Sequence, residues 1–286
     1  MNIYDTIIFL HIPKTAGTTL NEILQQQFEP EQIYFLGPTA QKTIREYQEL
    51  EAEEKEPVRL VSGHTPYGFH EYVAGSSTYF TFLRDPVDRV VSFYHFVRKN
   101  EQHYLNSAVV NEFDGIKSFI NSGITTMVDN GQTRLISGVW LKPGFGEVTS
   151  QDLEQAKLNL KQNFSVVGLT EQFDATLLLF REIFTWQNIK YVRQNVSKVS
   201  STDRKLTPEE REAIVNFNQL DIALYEYAQT LFEEQISGLG QDFPEQLERF
   251  QRQNLRYQTY RVPVLLAIER VKRFSIRAFI RGIFPR

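Results

Sequence analysis

There is no cysteine in the 286 residues of this chain. That removes a disulfide framework and any thiolate metal site. Histidine is scarce, at five residues, and none falls with Asp or Glu at a metal-ligand spacing. There is no internal repeat and no low-complexity segment. The first apolar run starts within ten residues of Met1, which leaves no room for a leader or an anchor. The expectation is therefore a cytoplasmic protein.

Acid outweighs base only slightly, 35 Asp and Glu against 31 Lys and Arg. The small net charge of −4 hides an asymmetry: 245–286 carries +7 and the first 244 residues carry −11. A basic tail on an acidic body points to an interaction segment and not to a nucleic-acid surface. Val264 to Phe284 reads as a helix with Arg270, Arg273, Arg277 and Arg281 on one face and Val264, Ile268, Val271 and Phe274 on the other. Its charges exclude a membrane-spanning helix. Two expectations stand for it: peripheral contact with the inner face of an anionic membrane, or packing on the acidic body or a second copy in a homo-oligomer.

What is present is organised around Ile7-Ile8-Phe9-Leu10-His11-Ile12-Pro13-Lys14-Thr15-Ala16-Gly17-Thr18-Thr19-Leu20. An apolar β-branched run reads as a buried strand, Pro13 stops it, and Leu20, Ile23 and Leu24 recur at helical spacing. The loop sits on a helix N-terminus, where N–H groups are unpaired and the macrodipole is positive. An anion belongs there, a phosphate above all. Lys14 supplies charge, Thr15, Thr18 and Thr19 supply hydroxyls, and Ala16-Gly17 allow close approach to the backbone. The Walker pattern puts its Lys at the loop's end; here Lys14 comes first.

Further strands are expected at 32–36, 58–62, 78–83, 165–169 and 189–192, and helices at 39–55, 86–99, 150–162 with Ser150 as cap, 171–184 and 207–234. Strands alternating with helices imply an α/β fold: a P-loop-like, three-layer architecture with a central, mostly parallel sheet flanked by helices, plus a basic helical C-terminal extension. The boundary between the main domain, 1–237, and the extension, 238–286, falls at Gly238–Pro244. Arg84 ends one strand, and Ser92 follows two turns into the Pro86 helix, so a guanidinium and a hydroxyl can grip one phosphate. A nucleotide with separate 5′ and 3′ phosphates fits two such sites at neighbouring strand ends. His64 follows Val61-Ser62-Gly63 at another strand end and is the best candidate base; His70 is a weaker one.

His-Ile-Pro-Lys-Thr-Ala-Gly-Thr-Thr resembles the 5′-phosphosulfate loop of carbohydrate sulfotransferases, the heparan sulfate 2-O- and 6-O-enzymes in particular, and the likeness extends from residue 6 to about 235. The resemblance implies 3′-phosphoadenosine 5′-phosphosulfate (PAPS) as donor, transfer of its sulfuryl group to a hydroxyl of an oligosaccharide, polysaccharide or glycolipid, and no metal. It matches Arg84 and Ser92 to the 3′-phosphate site, and Lys14 and His64 to the catalytic pair. It sets Tyr67, Gln132 and Arg134 by the acceptor, and Ser201, Thr202 and Lys205 in a loop that closes over the nucleotide. The 2-O-enzymes carry His-Gly-His where this chain has Ser62-Gly63-His64, so His64 would act alone. A P-loop kinase and a non-catalytic nucleotide-binding protein of the same fold are the alternatives; the displaced Lys and the lack of a Mg²⁺-binding Asp after a strand weigh against the kinase.

Overall fold

Five parallel strands carry the molecule: β1 (Thr6–Leu10), β2 (Ile33–Phe35), β3 (Leu60–Gly63), β4 (Ser77–Leu83) and β5 (Phe164–Leu169), in the spatial order β2-β3-β1-β4-β5. The computed structural model describes residues 4–37, 40–139, 143–192 and 206–261. Every residue of β1 is buried, as a central parallel strand covered on both faces requires. β1 is flanked by β3 and β4, with Leu10 opposite Gly63 on one side and Thr81 on the other. The loops after β1, β3 and β4 therefore leave the sheet side by side, on the edge where open α/β sheets bind ligands.

The helices are α1 (Gly17–Leu24), α2 (Ala40–Glu49), α3 (Ala52–Lys55), α4 (Pro86–Lys99), α5 (Asn106–Asn111), α6 (Ile116–Asn121), α7 (Gly131–Ser137), α8 (Ser150–Asn163), α9 (Phe173–Ile183), α10 (Pro208–Asn216) and α11 (Gln219–Ser237). A further helix, α12, covers 243–261. One core joins the strands to α1, α8, α9 and α11. A second, built on Val90, Val97, Phe119 and Val128, lies under α4, α5 and α6.

Several expectations need correction. Between the helices expected at 86–99 and 150–162, where no element is expected, the chain holds α5, α6 and α7, which are too short to show a period. No strand forms at 189–192; the Tyr191 N–H donates to Asn254 Oδ1 at 2.9 Å in place of a ladder partner. The single helix expected over 207–234 is two. Buried Asn218 breaks it, donating through Nδ2 to the carbonyls of Ile214 and Val128 at 2.8 Å each. Thr149, not Ser150, caps α8, through a reciprocal pair with Asp152. Beyond Gly238, α12 buries Phe243 and Phe250 in the sheet's own core, and Arg181 Nη2 donates to Gln246 Oε1 at 2.7 Å. The expected tail helix 264–284 and the residues Ser201, Thr202 and Lys205 lie outside the described residues.

Candidate active site

The loop after β1 turns sharply, and two of its non-glycine residues take left-handed backbone conformations, Lys14 at φ 75° and Ala16 at φ 65°. That costs energy at a residue with a Cβ. The turn delivers the chain into α1 with Ala16 as N-cap, which has no side chain to cap with. In the first turn the Thr19 N–H donates to the Ala16 carbonyl at 3.1 Å, the N–H groups of Gly17 and Thr18 stand at the positions for which a helix offers no acceptor, and no acid lies in that turn, so a bound anion would meet the positive end of α1.

Thr15 and Gly17 serve differently from their sequence reading. Thr15 is fully buried and its hydroxyl donates to the Ile12 carbonyl at 2.8 Å, so it shapes the loop. Gly17 is required by His11: a Cβ there would stand 1.9 Å from His11 Nε2. The His11 ring fills the space beneath the helix start, stacked between Phe9 and His64 at centroid distances of 5.0 and 4.3 Å. Gly17→Ala is expected to cost about 1–3 kcal/mol, as overpacking does. Denaturant melts check this, because in a His11→Ala background the same substitution should cost almost nothing. Thr18 is exposed and Thr19 buried, at the helix's first turn.

Lys14 and Arg84 stand close together, and neither takes part in an ion pair among the described residues. The Arg84 guanidinium donates through Nη1 to the Lys14 carbonyl at 3.2 Å, which ties the end of β4 to the loop after β1. Lys14 Nζ lies 4.1 Å from the Phe96 ring centroid, a cation–π contact. Burial first, then the charge of Arg84, push the Lys14 ammonium down to about 8. Ser92 is half-buried in the second turn of α4. Phe96 lies one turn further on and meets Lys14, so Ser92 shares the α4 face that looks at the loop.

His64 follows β3. Its Nδ1 is 2.8 Å from the His11 carbonyl oxygen. A carbonyl only accepts, so Nδ1 carries the proton and Nε2 keeps a lone pair. Burial lowers the His64 pKa most; the bond to the His11 carbonyl raises it, and Lys14 lowers it further. The ring is therefore neutral at pH 7, in the form a base requires. The His70 ring meets Tyr79 Oη through Nδ1 at 2.9 Å, and its main-chain N–H donates to the same oxygen at 2.8 Å, which ties it to β4.

Among the residues set by the acceptor, Tyr67 is half-buried, with its ring against His70, Tyr79 and Phe164. Gln132 and Arg134 turn inward, against expectation. Gln132 is fully buried; its Oε1 accepts from the Arg84 N–H and its Nε2 donates to the Arg84 carbonyl, each at 3.0 Å. Arg134, 1% exposed, donates to Asp129 and to the carbonyls of Pro143 and Gly144. With its fork committed inside the protein it does not reach a sugar.

Sequence reasoning missed Phe96 and the fit of His11 to Gly17. The i,i+4 spacing from Ser92 was the available signal for the first. Nothing local signals the second, since the two residues meet only once the loop is folded.

Comparison with known proteins finds sulfotransferases among the relatives of this chain. The mouse galactose-3-O-sulfotransferase 2 is 23% identical over 251 residues, 80% of this chain and 62% of that protein. A Drosophila melanogaster heparin sulfate O-sulfotransferase is 25% identical over 281 residues, covering 87% of this chain and 78% of that protein. The bovine galactosylceramide sulfotransferase is 22% identical over 262 residues, 82% of this chain and 59% of that protein. The chain thus spans about three fifths of the mouse and bovine relatives and more of the fly one. The model of the sulfotransferase family matches residues 1–228, a span that holds the Lys14 loop, His64 and Arg84, and the chain belongs to that family.

Proposed function

We propose that this protein transfers the sulfuryl group of PAPS to a hydroxyl of a carbohydrate, in an oligosaccharide, a polysaccharide or a glycolipid. The observation that carries the reading is the grouping of two cations without an ion pair among the described residues, Lys14 and Arg84, with the neutral base His64 at the ends of β1, β4 and β3. The names of the relatives support the acceptor class. The Lys14 loop and the start of α1 would take the 5′-phosphosulfate, and Arg84 with Ser92 the 3′-phosphate. His64 Nε2 accepts the proton of the acceptor hydroxyl as its oxygen bonds to sulfur. The bond from sulfur to the bridging oxygen breaks, and its electron pair leaves on the phosphate, where Lys14 offsets the charge. The products are the sulfate ester, 3′-phosphoadenosine 5′-phosphate (PAP) and a proton on His64.

Incubation with labelled PAPS and a panel of oligosaccharides, polysaccharides and galactolipids tests the reading. Label on at least one carbohydrate is expected; label on none, with PAP still bound, would make the protein a nucleotide binder without this chemistry. Arg84→Ala should act on donor binding first, raising the KM for PAPS by roughly 10–100-fold, the worth of hydrogen bonds to a charged group, with a smaller change in kcat. Initial-rate kinetics separate the two.

The same reading gives the basic stretch 264–284 a place as a peripheral contact with an anionic membrane, suited to a lipid-linked acceptor. Among the described residues no helix is long and apolar enough to cross a membrane. The full chain should float with anionic vesicles and lose them in high salt. A chain cut after Arg261, which keeps Phe243 and Phe250 in the core, should not float. Equal behaviour of the two would leave packing on protein as the role of this stretch.

A further inference from the structure

Three consecutive residues at the end of β4 have their main-chain groups held by side chains from elsewhere. The Leu83 carbonyl accepts from Thr170 Oγ1 at 3.1 Å. Arg84 is clamped at both its N–H and its carbonyl by Gln132, at 3.0 Å each. The Asp85 N–H donates to Glu171 Oε1 at 3.1 Å. A main-chain clamp of this kind fixes the direction in which the Arg84 side chain leaves the strand.

The clamps are themselves held from one helix. Asp221 Oδ2 accepts from the Gln132 N–H at 3.1 Å, and Asp221 Oδ1 accepts from the N–H and hydroxyl of Thr133 at 2.7 and 2.8 Å. This carboxylate caps α7, is fully buried, and lies 3.6 Å from the buried guanidinium of Arg89. Tyr225 Oη donates to Glu171 Oε2 at 2.7 Å. Asp221 and Tyr225 are four residues apart on α11 and so share one face of it.

We propose that Gln132 and Glu171 are positioning residues that set the protein's preference for a 3′-phosphorylated nucleotide, aligned by Asp221 and Tyr225 on α11. The proposal rests on the reading of Arg84 as the 3′-phosphate ligand. Its physical content is that a guanidinium gains from a phosphate only when its fork is aimed at it, and the aim is set by the backbone that Gln132 and Glu171 hold. Partners that orient the ligands of a metal ion change its affinity by about 10–100-fold, and a clamp that orients a phosphate ligand is expected to act at the lower end of that range.

Calorimetric titration of the full chain with PAP and with adenosine 5′-phosphate (AMP) reads the ratio of the two affinities. A merely structural role would weaken both nucleotides together and leave the ratio alone. Gln132→Met, which keeps the bulk and loses both bonds, should reduce the preference for PAP roughly tenfold with AMP nearly unchanged. Tyr225→Phe, which keeps the ring and frees Glu171, should move the ratio the same way by less. In an Arg84→Ala background neither should change it. If Gln132→Met does not fold, Tyr225→Phe alone decides. A wild-type ratio in the variants would overturn the proposal and leave the Arg84 reading intact. No preference for PAP in the wild-type protein would overturn both.

Discussion

Lys14→Met is expected to reduce sulfuryl transfer by about 10²–10³-fold, the cost of losing one donor aimed at developing negative charge, while making the free protein more stable at neutral pH. The two effects share one cause. The Lys14 ammonium is pushed down to about 8 by burial and by Arg84, so the folded state holds its charge less readily than the unfolded chain. Between pH 8 and the ordinary lysine value of 10.5 the unfolded state binds more protons, and stability from this group rises with pH. Below pH 8 the folded protein carries the whole cost of a charged Lys14. Methionine removes that cost, so the melting temperature should rise at pH 7, by about 2–4 °C per kcal/mol relieved. The gain should shrink as pH passes from 8 toward 10.5. An anionic donor binds the protonated lysine, so PAP affinity should be level below pH 8 and fall above it. Melts and titrations at pH 7 and pH 9 check both signs.

His64→Ala should lower kcat by about 10²–10⁴, the usual worth of general-base catalysis, and leave PAP affinity close to wild type. The contrast with Arg84→Ala is diagnostic, since that variant acts first on the donor. The pH profile follows from the same environment. Burial holds His64 below its ordinary value of 6.5, so the acid limb of kcat/KM should lie below pH 6.5. The alkaline limb should fall near 8 as Lys14 loses its proton. Near wild-type turnover in His64→Ala would remove the imidazole from the mechanism.

The parts of this fold that are legible in the chain are those written in local pattern. β1 carries the unbroken apolar run Ile7 to Leu10, and α4 begins at Pro86 and ends at Lys99 as its apolar stripe and start signal indicate. The Lys14 loop is legible because a strand, a stop and a helix surround it. Gln132 and Arg134 are not, because both sit on the seven-residue helix α7; Arg134 is closed in by the turns that hold Asp129, Pro143 and Gly144, and the partners of Gln132 come from far along the chain. Gln132 is tied to Arg84, 48 residues away, and its own N–H to Asp221, 89 residues away. Polar side chains buried by such long-range bonds look, in sequence, the same as polar side chains facing a ligand. Asn218 is a second case: its breaking of the helix into α10 and α11 depends on the carbonyl of Val128, 90 residues away. Glu171 reads as ordinary architecture in sequence, and only its bond to the Asp85 N–H joins it to the site.

On the reading proposed above, Lys14 and Arg84 at the strand ends read a nucleotide with separate 5′ and 3′ phosphates. Calorimetric titration of the wild-type protein at pH 7 with PAP and with AMP tests it most directly. PAP is expected to bind tighter by roughly 10- to 150-fold, the equivalent of one hydrogen-bonded charge at about 1.5–3 kcal/mol. Equal affinity for the two nucleotides would contradict it, and so would binding of ATP in preference to PAP.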